Sequence, residues 1–211
     1  MAHLTVTVPE NSQNIFGTVT IKASLEKVFE AYTKEELFAS WWCRGNPMKV
    51  YHFDCQDGGS WHIAEQSEDG HEYEFTGCFH EVALDKRIVQ TFEFLGMPER
   101  GHVMLEKAEF VAIDEHTTEI RTHSTAMSQS DRDGMVASSS PTQNCWVEVG
   151  RGAREQGSRG EICTSSFPLA PPHLCLSACH HAKLPWQTTS GIPSGWRQSV
   201  EALGKLLEPN D

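Results

Sequence analysis

From Met48 to Thr125 polar and apolar residues alternate with a period of two, in runs cut by turn-forming clusters. The runs are MKVYHFD, SWHIAEQ, EYEFTGCFHEV, IVQTFEFL, HVMLEKAEFVAI and TTEIRTHST. Asp57-Gly58-Gly59, Glu68-Asp69-Gly70, Asp85-Lys86, Gly96 to Gly101 and Asp114-Glu115 separate them, which predicts consecutive strands joined by tight turns in an antiparallel meander. Within one run Tyr73, Phe75 and Phe79 alternate with Glu74, Thr76 and His80, so one face is expected to be buried and the other wet. Ile88, Phe92 and Phe94 repeat this against Thr91 and Glu93. Two earlier strands are expected at Leu4–Val8 and Phe16–Ile21.

Helical spacing occurs in three places. Ser24 is a plausible N-cap for LEKVFEAY, and Thr33 with Glu36 has capping-box spacing ahead of Leu37, Phe38, Trp41 and Trp42. Near the C-terminal end, SGWRQSVEALGKLL sets Trp196, Val200, Leu203 and Leu207 at spacings of four, three and four, one apolar helical stripe. That stripe needs a cover, and the strands supply one. The predicted class is α+β, a curved antiparallel sheet around a long C-terminal helix, with two short helices after the first strand.

Phe75, Phe79, Phe92, Phe94 and Phe110 give the sheet a large aromatic face, to which Trp42, Phe53, Trp61 and Met104 add. With Trp196 and Val200 of the helix they are the candidate lining of a ligand cavity. Gly77 falls among the inward positions, where a missing side chain bends a sheet or leaves room for a ligand. Glu106 shares parity with Met104, Ala108 and Phe110 and is the one inward carboxylate expected; a bulge would turn it outward.

The block from Ser139 to Ser190 breaks both periods and carries five prolines, Pro141, Pro168, Pro171, Pro172 and Pro185. It reads as a disordered insertion into a domain made of residues 1–138 and 191–211. Cys175, Cys179, His180 and His181 lie in it at short spacing, without the paired second half of a zinc site, so no metal is assigned.

A net charge of −12 argues against nucleic acid or an anionic membrane surface as partner. No apolar run reaches the roughly 20 residues of a membrane span, and MAHLTVTVPENSQ lacks the features of a secretory signal, so a cytoplasmic location is expected. The seven cysteines are then expected to be mostly reduced thiols. Nucleophile-elbow, phosphate-loop, dinucleotide and H-E-x-x-H patterns are absent, and His52, His62, His80, His102, His116 and His123 are scattered over different strands. No catalytic residue and no cofactor is assigned.

VTIKASLEKVFEAYTKEELFASWW, the DGGSW turn, EYEFTGCFHEV, QTFEFLGMP, DGMVAS and SGWRQSVEALGKLL, in this order, resemble the START-like (SRPBCC) superfamily. The branch resembled is that of the C-terminal domain of the activator of heat-shock protein 90 ATPase. The resemblance implies a helix-grip (START/Bet v-like) fold whose cavity often receives an apolar ligand. It leaves three functions to weigh. The first is a noncatalytic protein binding an apolar small molecule; the second is a partner of a heat-shock chaperone. The third is a cyclase- or hydrolase-type enzyme using Glu106.

Overall fold

The computed structural model describes residues 3–44, 46–67, 70–138 and 194–207. The expected insertion and its Cys/His tract lie outside the described residues. Among the described residues eight strands form one antiparallel sheet: β1 (His3–Thr7), β2 (Asn14–Ile21), β3 (Met48–Phe53), β4 (Ser60–Gln66), β5 (Glu72–Ala83), β6 (Arg87–Phe94), β7 (Met104–Asp114) and β8 (Thr117–Ala126). Their order across the sheet is β1-β2-β8-β7-β6-β5-β4-β3. Among the described residues four helices accompany it: α1 (Leu25–Thr33), α2 (Glu35–Trp41), α3 (Gln129–Ser138) and α4 (Ser194–Leu207). This is the α+β helix-grip architecture, with α1 and α2 following the β1–β2 pair.

The meander from β3 to β8 follows the turn signals, and its last strand pairs with β2 rather than ending at an edge. That ladder runs from Asn14 opposite Thr125 to Ile21 opposite Thr118. It is secured at both ends, by Ala126 N–H donating to the Gln13 carbonyl (3.0 Å) and by Thr118 Oγ1 donating to the Ala23 carbonyl (2.9 Å). Since β2 and β3 sit far apart in the sheet, the connection between them must cross it, and α1 and α2 make that crossing.

Val28, Phe29 and Ala31 bury one face of α1, and Phe38 and Trp41 do so for α2. Thr33 does not cap α2 as the spacing suggested. Its backbone is still helical, and its hydroxyl donates back to the Phe29 carbonyl at 2.9 Å, so Lys34 is the N-cap instead. Helix α3 was not expected from periodicity. Ser128 and Asp131 start it: the Asp131 N–H donates to Ser128 Oγ (3.0 Å), whose hydroxyl donates to the Asp131 carboxylate (2.7 Å). Arg132, only 5% exposed, ties α3 to the β1–β2 connection by donating to the Pro9 and Ser12 carbonyls at 2.7 and 2.6 Å.

The stripe of α4 is buried at Val200 and Leu203, and Ser199 Oγ donates to the Trp42 carbonyl at the end of α2 (2.7 Å). Trp196 reaches the sheet because Gly17 has no side chain: an added Cβ would stand 2.8 Å from its indole. Gly77 plays the same part for Trp61 on the neighbouring strand. A Cβ there would lie 2.7 Å from the Trp61 ring and 1.9 Å from the Thr91 carbonyl oxygen, so the space left by the glycine is occupied by protein, not kept for a ligand.

The clash at Gly77 is with backbone and cannot be relieved by a rotamer change. Gly77→Ala is expected to destabilise the fold by about 3 kcal/mol in urea unfolding. Gly58→Ala, where φ is +77° and no atom lies within 4 Å, is expected to lose only about 1 kcal/mol.

Candidate functional site

Antiparallel register converts strand parity into rows of inward side chains across the concave face. The row of Val19, Ile120 and Phe110 lies beneath α1, where Phe29 and Tyr32 meet the Phe110 ring edge-on at 5.4 and 5.0 Å between centroids. The next row is Gly17, Thr122, Ala108 and Ile88. Then comes a polar row, Ser124, Glu106 and Gln90, flanked by Ile15 and Phe79. Beyond it Ala126, Met104 and Phe92 begin the aromatic part of the face.

The aromatic side chains pack on one another without filling the interior. Phe75 lies 5.6 Å from Phe92, 5.3 Å from Phe94 and 5.2 Å from Trp42, while Phe53 bridges Phe38 (5.1 Å) and Phe79 (5.8 Å). Phe53 faces inward because a bulge between Val50 and His52 reverses the parity of β3. A cavity of about 380 Å³ remains between sheet and helices, within the usual small-molecule range of roughly 300–1,000 Å³. Of the residues singled out in the sequence, Trp42, Phe53, Trp61, Phe75, Phe79 and Phe92 line it, together with Phe94, Met104, Glu106, Trp196 and Val200. Phe110 does not. It is inward as its parity required, but α1 covers it and makes it part of the solid core.

Glu106 points inward, since the β7–β8 register is regular from Met104 to Ala112. Gln90 Nε2 donates to one of its oxygens at 3.2 Å, and Ser124 Oγ approaches the other at 3.5 Å. Burial pushes the Glu106 carboxyl above the ordinary glutamate range, with the two donors opposing. Part of its surface remains open to the cavity. Tyr32 lines the same end, and burial together with the neighbouring Glu106 charge pushes its phenol upward.

Two further polar groups reach the cavity, and the alternation pattern did not single them out. His102 Nδ1 lies 2.7 Å from Asp131 Oδ1, so the loop before β7 is joined to the cap of α3. Burial would raise the Asp131 carboxyl, but its bonds with Ser128 and His102 outweigh this and its pKa is lowered. Across the sheet, Arg44 Nη2 holds both oxygens of the buried Glu65 at 2.5 Å, and Asn46 Nδ2 adds a third contact at 2.5 Å. The S-x-x-D spacing of Ser128 and Asp131 was a local clue to the first pair. Nothing local announced the second, whose members are far apart in the chain.

Other histidines lie elsewhere: His62 meets Glu74 at 2.9 Å, and His123 stacks on Phe16 and contacts Asn14 at 2.9 Å. Cys43, Cys55 and Cys78 are free thiols, with burial pushing both Cys43 and Cys55 up to about 12. Among the described residues no cluster of His, Cys, Asp and Glu is placed to hold a metal, and no helix is long and apolar enough to cross a membrane.

The sequence profile of a family described as "Activator of Hsp90 ATPase homolog 1-like protein" matches residues 22–151. No curated protein matches the chain. Among solved structures, a Mycobacterium smegmatis protein superposes with a TM-score of 0.63 at 12% identity, covering 99% of this chain and 99% of that one. A Staphylococcus epidermidis protein solved by NMR gives 0.57 at 20% identity, over 97% of this chain and 98% of that one. A Chromobacterium violaceum crystal structure gives 0.56 at 16% identity, over 93% and 99%. At such identities the likeness is one of fold.

The raised Glu106 pKa fixes the sign of a pH effect. The folded state holds this proton more tightly than the unfolded chain, so the stabilising contribution is complete below the unfolded pKa of about 4.3 and is lost as pH rises through the folded pKa. Glu106→Gln is therefore expected to gain stability over the wild type at neutral pH, about 1.4 kcal/mol for each unit of elevation, and to lose that advantage below about pH 4. Urea unfolding of both proteins across this range checks it.

Proposed function

This chain belongs to the activator of Hsp90 ATPase homolog 1-like family of START-like proteins, and on that premise we propose that it is a noncatalytic cytoplasmic protein binding a small, largely apolar molecule between sheet and helix. The supporting observation is the 380 Å³ cavity: if Phe75, Phe79, Phe92 and Trp196 had packed together, no such space would remain. A cavity walled by aromatic rings favours insertion of a flat apolar body through the area removed from water, about 25 cal/mol per Å². The walls come from seven strands, β2 to β8, and from all four described helices, so the shape is held by the fold as a whole and is largely formed before a ligand enters.

A chaperone-associated role is the second reading, supported by the family's name. It predicts retention of the chaperone in a pull-down and a changed chaperone ATPase rate at saturating protein. An enzymatic role for Glu106 is the third, and it would require turnover that Glu106→Gln diminishes.

Ala108 is a small inward residue at the cavity wall, and enlarging it intrudes on the space a ligand would use. N-phenyl-1-naphthylamine fluorescence is expected to report saturable binding to the wild type and at least a ten-fold weaker affinity for Ala108→Phe, with circular dichroism confirming that the variant is folded. Equal affinities would place the probe elsewhere and defeat the cavity reading. Native mass spectrometry of protein from its own source should show a retained small molecule.

A further inference from the structure

Within the largely apolar cavity the row of Ser124, Glu106 and Gln90 across β8, β7 and β6 sets polar groups among the rings, apart from the His102–Asp131 and Arg44–Glu65 pairs. Glu106 is held from both sides by neutral groups that donate to it, Gln90 at 3.2 Å and Ser124 at 3.5 Å, so what remains of its capacity is for accepting hydrogen bonds. An ionised carboxylate has about four acceptor positions, and both bonds present are long. Among the described residues the hydrogen-bond partners of Glu106 are these two neutral groups, and no salt bridge joins it to a cation. Water or a ligand must supply the rest, and Glu106 is a partly buried residue that lines the cavity from which either would come.

From this we propose that the cognate ligand is an aromatic molecule bearing an O–H or N–H donor on its inner end, and that Glu106 selects it. The proposal rests on the cavity-binding reading above and narrows it to a ligand class. On β7 the inward positions run from His102, before the strand, through Met104 and Glu106 to Ala108 and the covered Phe110. At about 3.3 Å per residue, Glu106 lies roughly 13 Å from the half-exposed His102–Asp131 pair, with Met104, Phe92 and Phe94 around the interval. A ligand with its donor on Glu106 thus lays its rings along the aromatic section. A donor is favoured over an isosteric methyl group because the methyl would leave the carboxyl buried and unmatched, whereas the apolar walls treat both bodies alike.

Calorimetric titration with 2-naphthol and with 2-methylnaphthalene, which share shape but not the donor, tests this directly. The wild type is expected to bind the naphthol about ten-fold more tightly, although the methyl compound is the more apolar. In Glu106→Leu the preference should vanish or reverse, with affinity for 2-methylnaphthalene undiminished. Equal affinities for the wild type overturn the donor proposal while leaving the cavity reading standing, and this comparison decides the matter even if the variant fails to fold. A naphthol preference that survives in a folded Glu106→Leu also overturns it. If neither compound binds the wild type, the cavity reading itself fails and takes the donor proposal with it.

Discussion

The pairing of β2 with β8 is the constraint on which the rest depends. Its partners lie about a hundred residues apart, so its closure carries a large entropy cost, which the local hairpins of the intervening meander reduce by shortening the effective loop. Once made, it joins the N-terminal hairpin to the meander and forces α1 and α2 to span the concave face. It also sets Gly17 opposite Thr122, which opens the gap into which the Trp196 indole fits. The helix is thereby seated against β2, α1 and α2, and its position fixes one wall of the cavity.

The interior is divided between two uses by the placement of α1. Below it, Phe29 and Tyr32 close over Phe110, Ile120 becomes inaccessible, and the side chains behave as an ordinary core. Further along the same strands the covering elements stand off, and rings of equal size line a space instead of filling one another's. Residue type does not distinguish the two regions, because phenylalanines serve in both. The polar row of Ser124, Glu106 and Gln90 sits at the boundary, where a carboxyl can be surrounded by protein and still retain surface toward the cavity.

Polar anchors are concentrated where elements of different origin meet. Arg132 binds the α3 region to the β1–β2 connection, Ser199 binds α4 to the end of α2, and Glu65 gathers Arg44 and Asn46 at the far end of the sheet. Each leaves a buried group unsatisfied if its element moves away, so these contacts resist sliding in a way that apolar packing alone does not. The aromatic wall is thus framed by directional contacts at its ends.

The sequence by itself determined the strands, their turns, the faces they bury and the apolar stripe of the last helix, because these follow from local periodicity and turn chemistry. It also determined that Glu106 shares a face with Met104 and Ala108, since parity survives wherever no bulge intervenes. Parity could not separate Phe110 in the core from Phe92 at the cavity, place Phe53 beyond its bulge, or tell that the room beside Gly77 belongs to Trp61. Those outcomes depend on which element covers a given row, and that is settled by β2–β8 closure and the seating of α1 and α4. The partners of Glu106 were equally beyond local reading, because Gln90 and Ser124 come from two other strands and reach it only through the final register.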